Sequence, residues 1–249
     1  MKIIGIIPAR YNSTRLPGKP LIEIEGKSMI QRVYEQAQKV KSFVKIIVAT
    51  DDKRIFDHVE NFDGNVIMTS NTHQSGTDRC GEVINTLYDE YDVAVNIQGD
   101  EPFIHPVQLE NLIAVFNESQ IEIATLSRQI PSDEKSNHQM EASDENVVKV
   151  VFDNNNNALY FSRSAIPFKR NNNPEITYFK HIGIYAYRSD ILKQIIQLPQ
   201  SRLEKAESLE QLRWLENGFK LRIVETDIDT IGIDTLDDLK KIKSLKPEK

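Results

Sequence analysis

The sequence predicts an α/β protein built on a mainly parallel sheet, and three observations carry that prediction. Short apolar runs alternate with amphipathic helical patterns along most of the 249 residues, as βαβ units require. The run at 92–97 is apolar enough for a central strand buried on both faces. Between 131 and 187, strand patterns follow one another without helices, which indicates an antiparallel insertion. We therefore predict a single domain over 1–249, with 131–187 inserted in it.

The first half of the chain predicts five strands with four helices between them. Ser28 and Gln31 form a capping box that begins the first helix, and the aspartates at 51–52 begin the second. A polar loop at 70–76 precedes the third helix, and Pro106 suits the first turn of the fourth. The predicted strands lie at 2–7, 44–49, 66–68, 92–97 and 123–127, and the helices at 28–40, 51–62, 77–90 and 106–118.

The second half of the chain begins with the expected insertion. The segment 131–146 is polar and acidic, which predicts an exposed loop, and 170–174 is a second polar tip. An Asn-rich turn at 153–157 predicts a hairpin. The remaining strands are expected at 147–152, 158–162, 181–187, 220–225 and 230–233, and the helices at 189–197, at 204–216 and from Thr235 onward.

Composition limits the classes of partner. The formal net charge is −6 and no long Lys/Arg block is present, so we expect no nucleic-acid partner. The N-terminal apolar run is too short for a signal peptide or a membrane span, so we expect a cytoplasmic protein without membrane contact. Cys80 is the only cysteine, which excludes a disulfide within the chain and is typical of a reducing compartment.

The strongest motif is PARYNSTRLPGKP at 8–20, which follows the first strand directly. It places Arg10, Arg15 and Lys19 on a loop that prolines stiffen and in which Gly18 permits close backbone approach. Because α/β sheets bind ligands at the carboxyl ends of their strands, these cations predict a polyphosphate site. Solvated surface cations are the alternative. No complete P-loop and no GxGxxG motif occur.

A second motif, NIQGDEP at 96–102, ends a buried strand in a carboxylate. Asp100 is therefore placed to hold Mg²⁺, which prefers hard oxygen ligands shared with phosphate. Asp234 follows another expected strand and could be a second ligand, but Thr235 and Asp238 also form a capping box, so the sequence leaves both interpretations open. The five histidines are scattered and predict no zinc site.

Weaker patterns suggest further binding groups. The segment Ser75–Arg79 begins a helix and could offer N–H groups to a base or a phosphate, or it could simply cap the helix. Arg163 and His181 lie at strand ends, where either could bind an anionic ligand or be structural. Glu210 and Gln211 fall off the apolar stripe of their helix, where they could meet a hydroxyl-rich ligand; solvated surface is the default interpretation.

Together these segments resemble one family, the 3-deoxy-manno-octulosonate cytidylyltransferases, or CMP-Kdo synthetases, of Gram-negative bacteria. The resemblance covers nearly the whole chain and includes the insertion. The N-terminal loop is shared more loosely with other sugar nucleotidyltransferases. The segments that narrow the resemblance to the Kdo group are ALYFSRSAIPF and KHIGIYAY. The matching segments are IIPARYNSTRLPGKPL, IIVATDD, HQSGTDR, VNIQGDEP, VVKVVFD, ALYFSRSAIPF, KHIGIYAYR, LEQLRWLENG and GIDTLDDL.

The resemblance implies a Rossmann-like, three-layer nucleotide-diphospho-sugar transferase fold and a homodimer formed through the inserted region. It implies Mg²⁺-dependent transfer of CMP from CTP to an acidic eight-carbon sugar, Kdo, with release of pyrophosphate. It assigns Mg²⁺ to Asp100 and Asp234, and catalysis to these two together with Arg10, Arg15 and Lys19. The implied nucleotide-binding residues are Arg10, Ser13, Arg15, Lys19, Ser75, Thr77 and Arg79. The implied sugar-binding residues are Gln98, Arg163, His181, Tyr185, Glu210 and Gln211.

Two alternatives to this function stay open at the level of sequence. The same chemistry could act on 8-amino-3,8-dideoxy-manno-octulosonate, or more remotely on sialic acid, because a few pocket contacts decide the sugar. A non-catalytic nucleotide-binding dimer on the same fold is the alternative from a different class. The presence of Asp100, Asp234, Lys19 and both arginines argues against it.

Overall fold

A computed structural model describes residues 1–12, 16–87, 90–131, 138–170, 176–229, 232–233 and 238–239. The chain divides into two compact units, Met1–Glu110 with Thr230–Lys249, and Asn111–Asp229. The predicted insertion 131–187 lies inside the second unit, which extends beyond it at both ends. The organisation as a single domain stays a prediction. Within the described ranges, no helix is long and apolar enough to cross a membrane.

The first unit is built on a parallel four-stranded sheet of order β6-β1-β4-β5. Its inner strand β1 is almost entirely buried, with Ile4, Ile6 and Ile7 at 0% exposure. The elements are β1 Ile3–Ala9, a 3₁₀ turn Lys19–Leu21, the short hairpin β2 Glu23–Ile24 and β3 Lys27–Ser28, α1 Met29–Ala37, β4 Phe43–Thr50, α2 Lys53–Asn61, β5 Val66–Met68, α3 Gly76–Thr86, β6 Val93–Asn96 and α4 Pro106–Ala114.

The register of this sheet determines which loops meet. β1 and β6 pair in parallel, with Ile6 opposite Asn96, so the segments that follow the two strands leave the sheet at the same edge. They approach so closely that a Cβ on Gly99 would lie 3.0 Å from the carbonyl oxygen of Pro8. Only glycine fits there without a shift of the backbone.

The second unit combines parallel and antiparallel strands, as the insertion predicted. β7 pairs in parallel with β11 and antiparallel with β10, and β8 pairs antiparallel with both β10 and β9. A 3₁₀ turn at Val115–Asn117 precedes these elements. They are β7 Ile123–Ile130, α5 His138–Ser143, β8 Lys149–Phe152, β9 Ala158–Ser162, β10 Tyr178–Arg188, α6 Ser189–Ile195, α7 Arg202–Glu207, α8 Gln211–Glu216 and β11 Leu221–Glu225.

Three sequence predictions about elements need correction. The expected loop 131–146 contains helix α5, and the single helix expected over 204–216 is two helices. The break falls at Ser208, whose backbone is left-handed at φ 54°, while the apolar pattern continues on both sides and hides it. Gly232 and Ile233, half of the last expected strand, lie outside any strand, and Thr235 lies outside the described residues.

The left-handed backbone at Ser208 predicts a stabilising substitution. Ser208→Gly should raise the free energy of unfolding by about 1 kcal/mol, because glycine adopts this conformation without the Cβ clash. Ser201→Gly is the matched control: Ser201 caps α7 by accepting from the Glu204 N–H, so its loss should be mildly destabilising. Urea unfolding measures both, and a destabilised Ser208→Gly would contradict the assigned conformation.

Candidate active site

A cleft of about 260 Å³ lies in the first unit, at the carboxyl ends of β1 and β6. It brings together three groups that the sequence singled out separately: the cationic loop, the carboxylate after β6 and the start of α3. Six predicted site residues line it: Arg10, Lys19, Ser75, Arg79, Gln98 and Asp100. Ser13, Arg15 and Asp234 lie outside the described residues. The cleft is also lined by Pro8, Ala9, Pro20, His73, Gln74, Gly76 and Gly99.

The charged centre of the cleft is an ion pair between Lys19 Nζ and Asp100 Oδ2, 2.7 Å apart. Arg10 is exposed at the end of the strand beside them. The loop that carries Lys19 closes on itself, because the Gly18 N–H donates to the Tyr11 carbonyl at 3.0 Å and Gly18 is left-handed at φ 69°. The guanidinium of Arg54 stacks 3.3 Å from the centre of the Tyr11 ring and supports that closure.

The donor set near Asp100 suits a metal that arrives with phosphates. Among the residues that the structure describes, no cluster of three or more His, Cys, Asp or Glu could enclose an ion. Mg²⁺ needs no such cage, since it is usually bound by one or two carboxylates and substrate phosphates. Asp100 supplies one such carboxylate, and the Ile233 N–H donates to the Asp100 carbonyl at 2.9 Å. Asp234 is the next residue in the sequence.

The start of α3, which also lines the cleft, is held by its own side chains. Ser75 Oγ accepts from the Asp78 N–H at 3.1 Å, and the Asp78 carboxylate accepts from the Ser75 N–H at 3.2 Å. The capping interpretation is therefore confirmed for Ser75, and its contact with a nucleotide stays a prediction. Thr77 is buried at 3% exposure and does not line the cleft.

Arg79 acts mainly as a brace beneath this segment. Its guanidinium is 3.3 Å from the Asp51 carboxylate, donates to Thr69 Oγ1, and lies 3.3 Å from the Ser70 carbonyl. The residue is only 4% exposed, so most of its hydrogen-bonding capacity is already used by the protein. We conclude that Arg79 fixes the wall of the cleft, and its predicted contact with a nucleotide stays untested.

His73 also lines the cleft, although no sequence pattern had singled it out as a site residue. Its Nε2 hydrogen-bonds to Glu82, and the same carboxylate oxygen accepts from the Ser70 N–H at 2.9 Å. Burial alone would raise the pKa of Glu82, but the hydrogen bonds from His73 and Ser70 outweigh it and lower that pKa. The sequence cues were its position four residues before the expected helix start at Thr77 and its place at the beginning of the matching segment HQSGTDR.

The predicted sugar-binding residues beyond Gln98 belong to the second unit. His181 Nε2 is 2.9 Å from Thr125 Oγ1, and that hydroxyl donates to the Ile184 carbonyl at 2.8 Å. Burial lowers the pKa of His181 to about 3, so the ring is neutral at physiological pH. Burial likewise raises the pKa of Tyr185, with a further contribution from the charge of Glu210.

Arg163 is fixed by hydrogen bonds to backbone carbonyls. Within the described residues, its Nε donates to the Glu207 carbonyl at 2.7 Å and a terminal nitrogen donates to the Glu145 carbonyl at 3.0 Å. The carboxylate of Glu207 binds the backbone N–H of Arg163 instead, at 2.9 Å. Lys149, fully buried, donates to the Arg163 carbonyl at 2.5 Å. Carbonyl partners orient a guanidinium without neutralising its charge.

The default placement of Gln211 on solvated surface is wrong. Gln211 is 4% exposed, and its Nε2 is buried without a hydrogen-bond partner in the part of the chain that the structure describes. The reason is that α8 is only six residues long and is buried on several sides, from Gln211 through Trp214. Glu210 is half-buried at the N-terminal end of the same helix.

Comparison with known proteins agrees with the fold. Residues 4–228 match the family model described as cytidylyltransferase. Because this match spans most of the chain, the chain belongs to the cytidylyltransferase family.

The relatives within that family are more specific. A 3-deoxy-manno-octulosonate cytidylyltransferase of Parabacteroides distasonis is 54% identical, covering 97% of this chain and 96% of its own length. One of Bacteroides thetaiotaomicron is 55% identical over 96% of both chains. A solved structure of CMP:2-keto-3-deoxy-manno-octonic acid synthetase with CTP is 46% identical, with a TM-score of 0.91 over 98% of both chains. The predicted Rossmann-like nucleotidyltransferase fold and the predicted family resemblance are both confirmed.

The neutral state of His181 predicts a pH-dependent stability. Below the unfolded-state pKa of 6.5, the unfolded chain takes up a proton that the folded ring resists until the pH approaches about 3. The contribution of His181 is therefore complete above pH 6.5 and is lost as the pH falls. Between pH 6.5 and about pH 5, the loss of this contribution should lower the free energy of unfolding by about 2 kcal/mol.

His181→Gln keeps a donor for Thr125 but cannot titrate, so it should remove that share of the pH dependence. Urea unfolding at several pH values compares this variant with the wild type. Parallel curves for the two proteins would show that the ring is not held neutral.

Proposed function

We propose that this chain transfers CMP from CTP to 3-deoxy-manno-octulosonate (Kdo), giving CMP-Kdo and pyrophosphate. The observation that carries the proposal is the cleft in which Arg10, Lys19 and Asp100 converge at adjacent strand ends. A site with two fixed cations and one carboxylate suits a metal-bound triphosphate. The names of the relatives supply the nucleotide and the sugar.

In the proposed reaction, the anomeric hydroxyl of the sugar attacks the α-phosphorus of CTP in line with the leaving group. A sugar O–P bond forms while the bond between the α-phosphorus and the bridging oxygen breaks, the hydroxyl proton passes to solvent, and pyrophosphate departs. Arg10 and Lys19 stabilise the charge that develops on the pyrophosphate. The protein's main contribution is to position both reactants and to complement that charge.

Mg²⁺ belongs to this proposal, with Asp100 and Asp234 as its protein ligands. When bound, the ion polarises phosphate oxygens and lowers the pKa of the attacking hydroxyl. Lys19 is paired with Asp100 and, in the proposed complex, exchanges that carboxylate for a phosphate oxygen. Arg15 and Ser13 of the same loop, and Ser75, Thr77 and Arg79, keep their proposed roles around the nucleotide.

The proposed sugar site draws on the second unit. Arg163 offers a guanidinium that carbonyls hold and leave charged, which suits the carboxylate of an acidic sugar. His181, Tyr185, Glu210 and Gln211 of the same unit are proposed as its partners toward hydroxyl groups, and Gln98 keeps its proposed sugar-binding role in the cleft of the first unit. A homodimer formed through the inserted region and a cytoplasmic location are part of the same proposal. Cys80 is buried and is the single cysteine of the sequence, so it forms no disulfide within the chain, which is consistent with a reducing compartment.

Pyrophosphate release from CTP tests the activity directly. Kdo and 8-amino-3,8-dideoxy-manno-octulosonate should be supplied in parallel, each with Mg²⁺ and each with EDTA. We expect Mg²⁺-dependent release that favours Kdo. Release that favours the amino sugar would show that this sugar is the substrate that the residues around Arg163 select. CTP binding without release would support a non-catalytic nucleotide-binding protein.

The role of Asp100 gives a second prediction. Asp100→Asn should lower turnover at least about a hundredfold, because it removes a charged contact made in the transition state. Asp63→Asn is the matched control: Asp63 is in a left-handed turn that asparagine also tolerates, away from the cleft. Near-normal turnover of Asp100→Asn at saturating Mg²⁺ would contradict the assignment of the metal.

A further inference from the structure

The part of the cleft lining from His73 to Arg79 has few side-chain groups left for a ligand. Ser75 Oγ already accepts the Asp78 N–H, and the guanidinium of Arg79 is held by Asp51 and Thr69. Gln74 Nε2 donates to the Thr72 carbonyl at 3.1 Å. Because the triphosphate belongs beside Arg10 and Lys19, the nucleoside of CTP is left to this part of the lining. Its composition therefore bears on how the base is recognised.

His73 differs from these residues because one of its ring nitrogens is not used by the protein in the described part of the chain. Its Nε2 is bonded to Glu82, and Nδ1 makes no hydrogen bond to the residues that the structure describes. An ionised carboxylate can only accept hydrogen bonds, so the proton of the shared bond is on Nε2 of His73. A neutral imidazole protonated at Nε2 carries an acceptor lone pair at Nδ1.

Glu82 is itself well fixed, which makes the orientation of the ring definite. Its Oε2 accepts from the Ser70 backbone as well as from His73, and it extends from the middle of α3. The Thr69 N–H donates to the Thr50 carbonyl at 2.8 Å, so the segment before His73 is anchored to β4. The acceptor is therefore built into the wall of the cleft and does not depend on a freely rotating side chain.

We propose that His73 Nδ1 accepts a hydrogen bond from the exocyclic amine of cytosine and so selects CTP over UTP, with Glu82 as the positioning residue. Cytosine presents an amine donor where uracil presents a carbonyl acceptor. A fixed acceptor at Nδ1 accepts a hydrogen bond from the cytosine amine. Against the uracil carbonyl, its lone pair would face a lone pair of the carbonyl oxygen, and no hydrogen bond forms. This inference rests on the proposed function, since it names the group that reads the base in the same cleft.

Equilibrium binding of CTP and UTP, with Mg²⁺ and without sugar, tests the inference by calorimetry. His73→Ala should weaken CTP binding about tenfold and leave UTP binding within about twofold, so that the preference for CTP largely disappears. His105→Ala is the matched control, because His105 is exposed in the same unit and does not line the cleft. It should keep the wild-type ratio.

Each other result has a distinct meaning. Equal losses for CTP and UTP in His73→Ala would show that the ring contacts a group common to both, such as a phosphate, and would overturn the inference, as would an unchanged ratio. Equal wild-type affinities for the two nucleotides would also overturn it, while pyrophosphate release from CTP would still uphold the proposed function. A wild type that binds neither nucleotide would overturn both.

A second measurement uses the wild-type protein and does not depend on whether a variant folds. Long-range ¹H–¹⁵N NMR spectra of the histidine rings should show His73 protonated at Nε2 and bare at Nδ1. CTP should shift the Nδ1 resonance more strongly than UTP does. A proton on Nδ1 in the free protein at neutral pH would overturn the inference.

Discussion

The parallel pairing of β1 with β6 is the constraint on which the candidate active site depends. It sends the backbone after Ala9 and the backbone after Asn96 out of the same edge of the sheet, where Gly99 packs against the Pro8 carbonyl. Residues 81 positions apart in the chain, Lys19 and Asp100, then form one ion pair. A larger residue at position 99 would separate the two loops, and with them the cations from the carboxylate.

The ion pair contributes little to the stability of the fold, but it is well suited to binding a charged ligand. Asp100 is about one-third exposed, at 34%, and Lys19 is 11% exposed, so solvent screens the pair and its contribution to stability is small. The contact nevertheless holds the two side chains in place at the cleft. A polyphosphate with its metal ion brings charges of both signs, so each member of the pair can exchange its partner for one on the ligand without an uncompensated charge.

The sequence predicted the parts of this protein that follow from local pattern. Strand β1, the capped starts of α1 and α3, the cationic loop and the carboxylate that follows β6 all have a local cause. The family resemblance added Gln98 to the residues of the cleft. What the sequence could not predict depends on three-dimensional context. Ser208 adopts a left-handed backbone inside a continuous apolar pattern. Gln211 is buried because the rest of the fold covers several sides of its helix. His73 is oriented by Glu82, nine residues away on α3.

Two arginines of the second unit show why partner chemistry matters more than residue type when a site is inferred. Arg213 forms a buried fork with Glu204, at 2.8 and 2.5 Å, so its charge is cancelled inside the protein. Arg163 is oriented with comparable firmness, but its described partners are the carbonyls of Glu207 and Glu145. Carbonyl dipoles fix direction and leave a net positive charge. Of the two, Arg163 is the one equipped to attract a carboxylate, although both look alike in the sequence.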